Sequence, residues 1–297
     1  MTDEVPPGAT LPGMLRRLAP LALVLLAAGC GGSGEDAAVP LQPGDSGPVH
    51  VHGLGVDPAD GALYIATHTG LWRSPKGELT ARRVTDNRQD TMGFSVVGPG
   101  FFLGSGHPDL REAVAKQLPP HLGLIASGDA GKTWRNVSLL GEADLHVLRA
   151  AGKRVYGWDA SNGRLLVSGD GGGSWTERPA PAPLLDLAVD PSQPRRVVAA
   201  TEQALFASAD AGRSWSRLPG EPGLLAWPRV GRLFRVAGTG SVFVSSDGGK
   251  TWQRRGDVGG EPAAFGTGPA GELYVALHDG PIKTSADGAR WTVRLRP

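Results

Sequence analysis

The sequence predicts an all-β fold, a six-bladed β-propeller with four-stranded antiparallel blades, and three observations support this prediction. A polar turn that ends in tryptophan recurs about every 40 residues, and a fixed period of this kind is typical of repeat architectures. Each repeat divides into four short strand-like runs, which is the pattern of one propeller blade. The 45 glycines, 25 prolines and 6% aromatic residues also suit many short strands joined by turns.

The recurring turn follows the pattern Ser-x-Asp-x-Gly-x-Ser/Thr-Trp in four copies, and a fifth copy, SADGARW at 285–291, is one residue shorter. Its successive aspartates are 41, 40, 37 and 40 residues apart. The aspartate can accept hydrogen bonds from N–H groups of its own turn, and the glycine can take a positive φ. We expect the tryptophan to pack against the neighbouring sheet. The aspartate and tryptophan positions are Asp129 and Trp134, Asp170 and Trp175, Asp210 and Trp215, Asp247 and Trp252, and Asp287 and Trp291.

This motif resembles the Asp-box, or BNR repeat, of sialidases and sortilin-type receptors. The resemblance implies a propeller with the motif between the third and fourth strands of each blade. It also implies that the motif is structural and lies far from any active site. The combination of HVHGL, ATHTGL, DNRQDTMGF and SGHPDL is similar to a group of secreted bacterial propellers catalogued as glycosyl hydrolases, over about residues 47–297.

Six runs are typical of inner strands, so we predict six blades in a propeller that occupies residues 48–297. Blade 1 has GLWRSPKGE where the repeated turn is expected, and blade 2 carries an insertion. Atypical first repeats are common in such arrays. The predicted inner strands begin near residues 49, 91, 144, 184, 223 and 262.

The N-terminal segment is typical of a signal peptide, predicted for residues 1–29, with translation starting at Met1 or at Met14. Residues 14–30, MLRRLAPLALVLLAAGC, combine two arginines, an apolar run too short to span a membrane, and the only cysteine. LAAGC resembles the lipobox of bacterial lipoproteins, although the position three before the cysteine is Ala27. The resemblance implies lipid attachment at Cys30, a flexible tether over 30–47, and a chain anchored outside the cytoplasmic membrane. The alternative is an ordinary secretory signal with an incidental cysteine.

The charge of the chain argues against nucleic-acid binding. Thirty basic and twenty-nine acidic side chains give a formal net charge of +1, and no basic cluster recurs at the repeat spacing. The electrostatic footprint of a nucleic-acid-binding protein is therefore missing from the sequence. We expect a monomer that binds another class of ligand.

In a four-stranded blade, the loop before the first strand and the loop between strands two and three lie on one face, and the repeated turn lies on the other. All seven histidines map to the first face or the adjoining channel wall, and we call this surface the histidine face. The histidines are His50, His52, His68, His107, His121, His146 and His278, and the carboxylates that map there are Asp90, Asp109, Asp144, Asp159, Glu202 and Asp279.

The histidine face predicts a metal site. Side chains of a regular strand alternate, so His50 and His52 lie on the same side of one strand, and a third ligand could come from His68, His146 or His278. Imidazole and carboxylate donors suit zinc or copper, and Met92 could add a soft ligand for copper. The tentative metal set is His50, His52 and His146. The alternative is that these histidines are hydrogen-bonding residues of a polar channel, because the spacing does not decide.

The insertion in blade 2, residues 107–121, predicts a short helix. Asp109 would cap it, Glu112 stands at the capping-box spacing, and Pro119 would end it. Such a helix is either a lid over the channel mouth or a surface decoration. Arg88 enters the same face and could pair with an anion. The predicted ligand-binding residues are His68, Arg88, Asp90, His107, Asp109, Asp159 and His278.

The Asp-box resemblance raises glycoside hydrolysis as a function. Sialidases in that family use an arginine triad, a Tyr–Glu nucleophile and an aspartate acid/base. The three tyrosines of this chain occupy the same second-strand position in three blades, which indicates core positions: Tyr64, Tyr156 and Tyr274. Another hydrolase would use a carboxylate pair, Asp90 with Asp144 or Asp159. Two classes stay open, a non-catalytic module that binds a metal, glycan or protein, and a glycosyl hydrolase that is not a typical sialidase.

Overall fold

The computed structural model describes residues 47–278 and 280–296. The predicted signal peptide, Cys30, residues 30–46 of the predicted tether, and Asp279 lie outside these residues. Within the described part of the chain, twenty-four strands form six four-stranded antiparallel sheets. The prediction of an all-β, six-bladed β-propeller is confirmed.

Each blade is formed by four strands that are consecutive in the chain. Blades 1 to 3 are β1–β4 (Val51–Val56, Leu63–Thr67, Gly70–Ser74, Arg82–Arg83), β5–β8 (Asp90–Gly98, Phe101–His107, Leu124–Ser127, Arg135–Ser138) and β9–β12 (Leu145–Ala151, Arg154–Asp159, Arg164–Ser168, Thr176–Arg178). Blades 4 to 6 are β13–β16 (Leu184–Val189, Val197–Thr201, Leu205–Ser208, Ser216–Leu218), β17–β20 (Leu224–Arg229, Arg232–Val236, Ser241–Ser245, Gln253–Asp257) and β21–β24 (Pro262–Thr267, Leu273–Leu277, Ile282–Ser285, Thr292–Leu295).

The first strand of every blade lines a central channel, as predicted. Residues of all six inner strands surround a cavity of about 320 Å³. Small residues such as Gly53, Gly55 and Gly266 let these strands approach one another closely, because a Cβ at Gly266 would lie 2.4 Å from the Leu54 carbonyl oxygen. The channel is therefore narrow.

The hydrophobic core is divided among the interfaces between blades. Six clusters of buried apolar side chains are present, and each joins two neighbouring blades. One of them packs Trp72 and Ile65 of blade 1 against Ile282 and Leu295 of blade 6, so the ring is closed. Burial of these side chains supplies the main stabilising free energy, and no single blade holds a core alone.

The seam between blades 6 and 1 is closed by side chains, since neither blade lends a strand to the other. The Arg294 guanidinium of blade 6 donates to the Ser74 hydroxyl at 2.9 Å and to the Pro75 carbonyl at 2.7 Å, and it also contacts the Glu78 carbonyl. The planar guanidinium suits this task because it presents several donors in a fixed fork.

The repeated turn joins the third and fourth strands of blades 2 to 6. In the copy of blade 5, Ser245 Oγ accepts from the Gly249 N–H at 2.7 Å and donates to Asp247 Oδ1 at 2.7 Å. Asp247 also accepts from the N–H and hydroxyl of Thr251, at 2.9 and 2.7 Å. These hydrogen bonds lower the pKa of Asp247 to about 2. The same bonds recur at Asp129, Asp170 and Asp210.

The tryptophan of the turn packs in a cluster between two blades in all five copies, as expected, and in three copies it also donates a hydrogen bond to the neighbouring blade. The indole N–H groups of Trp175, Trp215 and Trp252 donate to Ser138 Oγ, the Pro179 carbonyl and the Pro219 carbonyl, at 2.9, 2.8 and 3.1 Å. Trp134 packs in the cluster between blades 1 and 2. Trp291, in the short fifth copy, bonds instead to Gly288 of its own turn at 3.2 Å.

The blade 2 insertion contains the predicted short helix, α1 (Leu110–Lys116). Asp109 caps it by accepting from the Arg111 N–H at 2.8 Å. Glu112 accepts instead from the Asn87 side chain at 3.1 Å and from Lys116, so the reciprocal capping-box bond does not form. The helix ends at Gln117, whose φ is 52°, two residues before the predicted stop. In the described residues, none of the helices has the length and apolar character that crossing a membrane requires.

Candidate functional site

In five blades, a β-bulge lies at the start of the inner strand, and the bulged residue directs its side chain toward the histidine face. The pairing of β1 with β2 skips His52, and the pairing of β9 with β10 skips His146. Met92 occupies the same position in blade 2. A bulged residue leaves the regular alternation of the strand, so its side chain is redirected. His52 and His146 are therefore structurally equivalent positions in blades 1 and 3.

The first cluster joins blades 1 and 2 and consists of His52, His68 and Asp90. One donor atom from each residue lies within 4.8 Å of the others. His68 Nδ1 donates to Asp90 Oδ2 at 2.8 Å, and the His52 and His68 rings meet edge to face with centroids 4.3 Å apart. His52 Nε2 lies 3.7 Å from Asp90 Oδ1. Both atoms are buried and have no hydrogen-bond partner among the described residues.

The His52 imidazole is neutral at physiological pH. Burial, together with the neighbouring His68, lowers its pKa to about 4, so its partnership with Asp90 is not an ordinary ion pair. At 3.7 Å the two atoms are also too far apart for a direct hydrogen bond. The first cluster therefore presents a neutral imidazole nitrogen and a carboxylate oxygen that face each other.

The second cluster joins blades 2 and 3 and consists of His107, His121 and Asp144. Its three donor atoms also lie within 4.8 Å of one another. Asp144 Oδ2 is 3.5 Å from His107 Nε2 and 4.0 Å from His121 Nδ1. The Asp144 side chain is only 5% exposed. Asp144 Oδ1 and His121 Nδ1 are buried without a hydrogen-bond partner among the described residues.

His146 lies beside the second cluster and orients its carboxylate. Its Nε2 donates to Asp144 Oδ2 at 2.8 Å. Although burial acts to raise the pKa of Asp144, the hydrogen bond from His146 and the neighbouring histidines hold it below the ordinary value. Asp144 is therefore a carboxylate at neutral pH, in a position that disfavours charge unless a cation compensates it.

The two clusters are adjacent and share no donor. Asp90 and His107 are opposite residues in the β5–β6 ladder, so their side chains emerge on the same side of blade 2. Asp90 contacts histidines of its own seam with blade 1, and His107 faces Asp144 of blade 3. Gly106 permits this geometry, because a Cβ there would lie 2.1 Å from the Asp90 carbonyl oxygen.

The structure places other predicted ligands differently. Asp159 is fully buried and accepts from the Asp144 N–H, the Asn162 amide and Arg164, at 3.1, 2.8 and 2.9 Å. It fixes the backbone of Asp144 and has no exposed carboxylate. A hydrolytic pair that includes Asp159 would lack one accessible carboxylate. The pair of Asp90 with Asp144 stays a prediction, and its Asp144 side chain is itself only 5% exposed.

Asp109 and the backbone of Arg88 help to hold α1 in place. Asp109 is buried and accepts from the Arg88 N–H at 2.9 Å, in addition to its bonds to Arg111. The hydrogen bond from Arg111 holds the pKa of Asp109 well below its usual range. Arg111 also donates to the Asp86 carbonyl at 2.7 Å. The helix is thereby tied to the segment that precedes β5, beside both clusters.

The structure does not bring the predicted metal ligands His50, His52 and His146 together in one cluster. β1 begins at Val51, so His50 is not in a strand. It has a φ of 53°, and the period-two argument does not apply to it. Its ring lies 5.6 Å from that of His68. His278 is exposed and lies with His50 along a separate groove between blades 6 and 1.

Sequence reasoning placed His68, Asp90, His107 and Asp144 on the correct face but did not group them. The grouping depends on the bulges and on the seams between blades, and His121 enters only because the insertion returns to β7. Tyr64 and Tyr156 are core residues, and Tyr274 is half-buried. Burial raises the pKa of Tyr64 and Tyr156 to about 12, and the Tyr156 hydroxyl donates to the Pro194 carbonyl at 2.7 Å.

No protein-family model matches the chain, and no curated protein matches it either. Among solved structures, the chain is similar to virginiamycin B lyase from Staphylococcus aureus, with 12% identity over 83% of this chain and 84% of that one and a TM-score of 0.53. It is similar to an ancestral GH74 enzyme, with 13% identity over 87% of this chain and a TM-score of 0.50.

The chain spans 39% of the length of that GH74 enzyme. A third similar structure is YCF48 bound to D1 peptide, with 17% identity over 68% of this chain and 67% of that one and a TM-score of 0.46. Identities this low show the fold alone, and that fold is the β-propeller.

Proposed function

We propose that this chain is a ligand-binding propeller whose ligand on the histidine face is a transition-metal ion, Zn²⁺ or Cu²⁺, held by His52, His68 and Asp90. One observation carries the proposal. His52 Nε2 and Asp90 Oδ1 are buried, face each other at 3.7 Å, and have no hydrogen-bond partner among the described residues. Buried polar atoms are nearly always paired, so this arrangement calls for a third group between them.

A metal ion suits the spacing and the chemistry of these atoms. In a tetrahedral site with metal–ligand distances of about 2.0–2.2 Å, neighbouring donor atoms lie about 3.3–3.6 Å apart. The observed 3.7 Å is close to this value. Neutral imidazole and carboxylate are ligands that Zn²⁺ and Cu²⁺ accept. With three protein ligands, one coordination position would stay open for water or a further ligand.

The proposal includes the location of the protein. The repeated turn and its tryptophan contacts support membership in the Asp-box propellers. Independently of the turn, the leader and Cys30 would anchor the chain outside the cytoplasmic membrane. A Cys30→Ser variant is expected to move the protein from the membrane fraction to the soluble fraction of the cell. Retention of that variant in the membrane would exclude lipid attachment at Cys30 as the anchor.

The metal proposal is tested by titrating the detergent-extracted, metal-free full-length chain with Zn²⁺ in a calorimeter, followed by elemental analysis after dialysis. Wild-type protein should retain zinc, and His52→Gln should lose one equivalent. His278→Gln is the matched control, because it removes an exposed histidine from the same face and should change nothing. Equal zinc content in wild type and His52→Gln would overturn this site and assign the gap between His52 and Asp90 to water.

A further inference from the structure

We propose a second, separate metal site on the same face, formed by His107, His121 and Asp144 and oriented by His146. It does not depend on the first site, because the two share no residue. The described residues contain two clusters with donor atoms close enough to hold an ion, and the second is the more buried of the two.

The tautomer of His107 is fixed by the chain itself. Its Nδ1 lies 2.9 Å from the Pro120 carbonyl oxygen, and a carbonyl oxygen can only accept a hydrogen bond. Nδ1 therefore carries a hydrogen, which leaves Nε2 as the ring nitrogen available to bind a metal. Nε2 lies 3.5 Å from Asp144 Oδ2. A cation between this nitrogen and the Asp144 oxygen would be bound by both. A backbone carbonyl on the far nitrogen is also the usual support of a metal-bound histidine.

The other two residues each have one unpaired polar atom, although the second oxygen of Asp144, Oδ2, accepts from His146. His121 Nδ1 and Asp144 Oδ1 are buried and have no hydrogen-bond partner among the described residues. Asp144 is 4% exposed, so solvent does not replace the missing partners of its free oxygen. A carboxylate in such a position needs a compensating positive charge.

The backbone holds Asp144 in place before any ion binds. Its N–H donates to the buried Asp159 at 3.1 Å, and the next N–H, of Leu145, donates to Ser105 Oγ at 3.0 Å. His146 fixes the carboxylate through Oδ2 at 2.8 Å. Such preorganisation lowers the entropic cost of binding. His146 is a positioning residue in this arrangement and not a metal ligand.

The geometry favours a tetrahedral ion. The separation of 3.5 Å between His107 Nε2 and Asp144 Oδ2 falls within the range of about 3.3–3.6 Å expected for neighbouring ligands of tetrahedral zinc. The 4.0 Å between His121 Nδ1 and the same oxygen requires only a small ring movement, and histidine χ2 is soft. Two imidazoles and one carboxylate form a set known for zinc.

The test is the stoichiometry of Zn²⁺, and of Co²⁺ as a coloured substitute, bound to the full-length chain. Wild type should bind two equivalents. His121→Gln should bind one and keep the equivalent that His52→Gln removes. The double variant should bind none, and His278→Gln should bind two. The visible Co²⁺ spectrum of each single variant should be that of the remaining site.

His146→Gln separates positioning from structure. It should leave the number of sites unchanged and weaken the second site by about 10–100-fold, as is typical of partners that orient a ligand. A wild type that binds a single equivalent, lost in His52→Gln but kept in His121→Gln, would overturn the second site and leave the first. The reverse pattern would overturn the first site and leave the second. Far-UV circular dichroism of each variant excludes unfolding. Asp144→Asn replaces His121→Gln, and Asp90→Asn replaces His52→Gln, if the histidine variant does not fold.

Discussion

The hydroxyl of the serine that opens each repeated turn should be one of the most costly small groups to remove. Ser245 is buried, and its Oγ accepts from the buried Gly249 N–H at 2.7 Å while donating to Asp247 at 2.7 Å. The Ser245→Ala change removes both bonds and the longer one, 3.4 Å, that Oγ accepts from the Asp247 N–H. It leaves the glycine N–H buried without a partner and adds no bulk.

The magnitude follows from these two losses. An unsatisfied buried N–H costs about 1–3 kcal/mol, and a hydrogen bond to a charged group contributes about 1.5–3 kcal/mol. Because the carboxylate of Asp247 can turn to water, we expect the lower end of the sum, about 3 kcal/mol. For a domain of this size, 1 kcal/mol corresponds to about 2–4 °C in Tm, so Ser245→Ala should lower Tm by about 6–12 °C.

The measurement is thermal unfolding followed by circular dichroism, with two matched variants. Ser246→Ala changes the exposed neighbouring residue and should leave Tm nearly unchanged. Ser285→Ala changes the short fifth copy, in which the serine lies 3.4 Å from Asp287, so its loss should be smaller than that of Ser245→Ala. A shift for Ser245→Ala no larger than that for Ser246→Ala would refute the structural role of the turn.

Four further predictions concern the scaffold and its link to the site. The turn aspartates have lower pKa values in the folded protein than in the unfolded chain, so the unfolded chain binds more protons at low pH. Their stabilisation is therefore present above about pH 4 and lost as pH falls. Asp247→Asn should reduce the fall in Tm between about pH 5 and about pH 3. Gly93→Ala should destabilise by about 1–3 kcal/mol, measured by urea unfolding, because its Cβ would lie 2.2 Å from the Leu145 carbonyl oxygen. Arg294→Lys should speed amide exchange at the seam of blades 6 and 1, because the fork to three carbonyl groups is lost. Asp159→Asn should weaken the second metal equivalent without removing it, since Asp159 positions Asp144 and does not face the ion.

The fold was predictable because the same blade pattern recurs several times along the chain. Five turns with a period near 40 residues fixed the boundaries of five blades, and the apolar runs between them fixed the inner strands. The short helix was also predictable from Asp109 and the residues that follow it. In these segments the local pattern and the tertiary structure agree, which is the condition under which sequence reasoning succeeds.

The sequence predicted the face on which the candidate site lies, but not which residues cluster there. His50 and His52 were paired by strand alternation, but the bulge at His52 and the start of β1 at Val51 remove the alternation at that point. Asp159 read as an exposed carboxylate of the same face, yet its position at the end of β10 buries it behind Asp144. Both differences arise at strand ends, where the backbone leaves the regular geometry on which pattern arguments rest.

One ligand of the first cluster, His52, and the residue that orients the second, His146, lie at the same kind of irregularity. Bulges at the start of inner strands are shared by blades with no histidine there, such as blade 4, where Leu185 occupies the position. The bulge is thus a property of the scaffold, and the residue it presents is free to vary. Histidines occupy it in blades 1 and 3, on either side of blade 2, whose insertion supplies His107 and His121. Aligning the blades at their bulges places His52 and His146 at equivalent positions on the face, whereas the other donors come from loops and seams that this alignment does not reach.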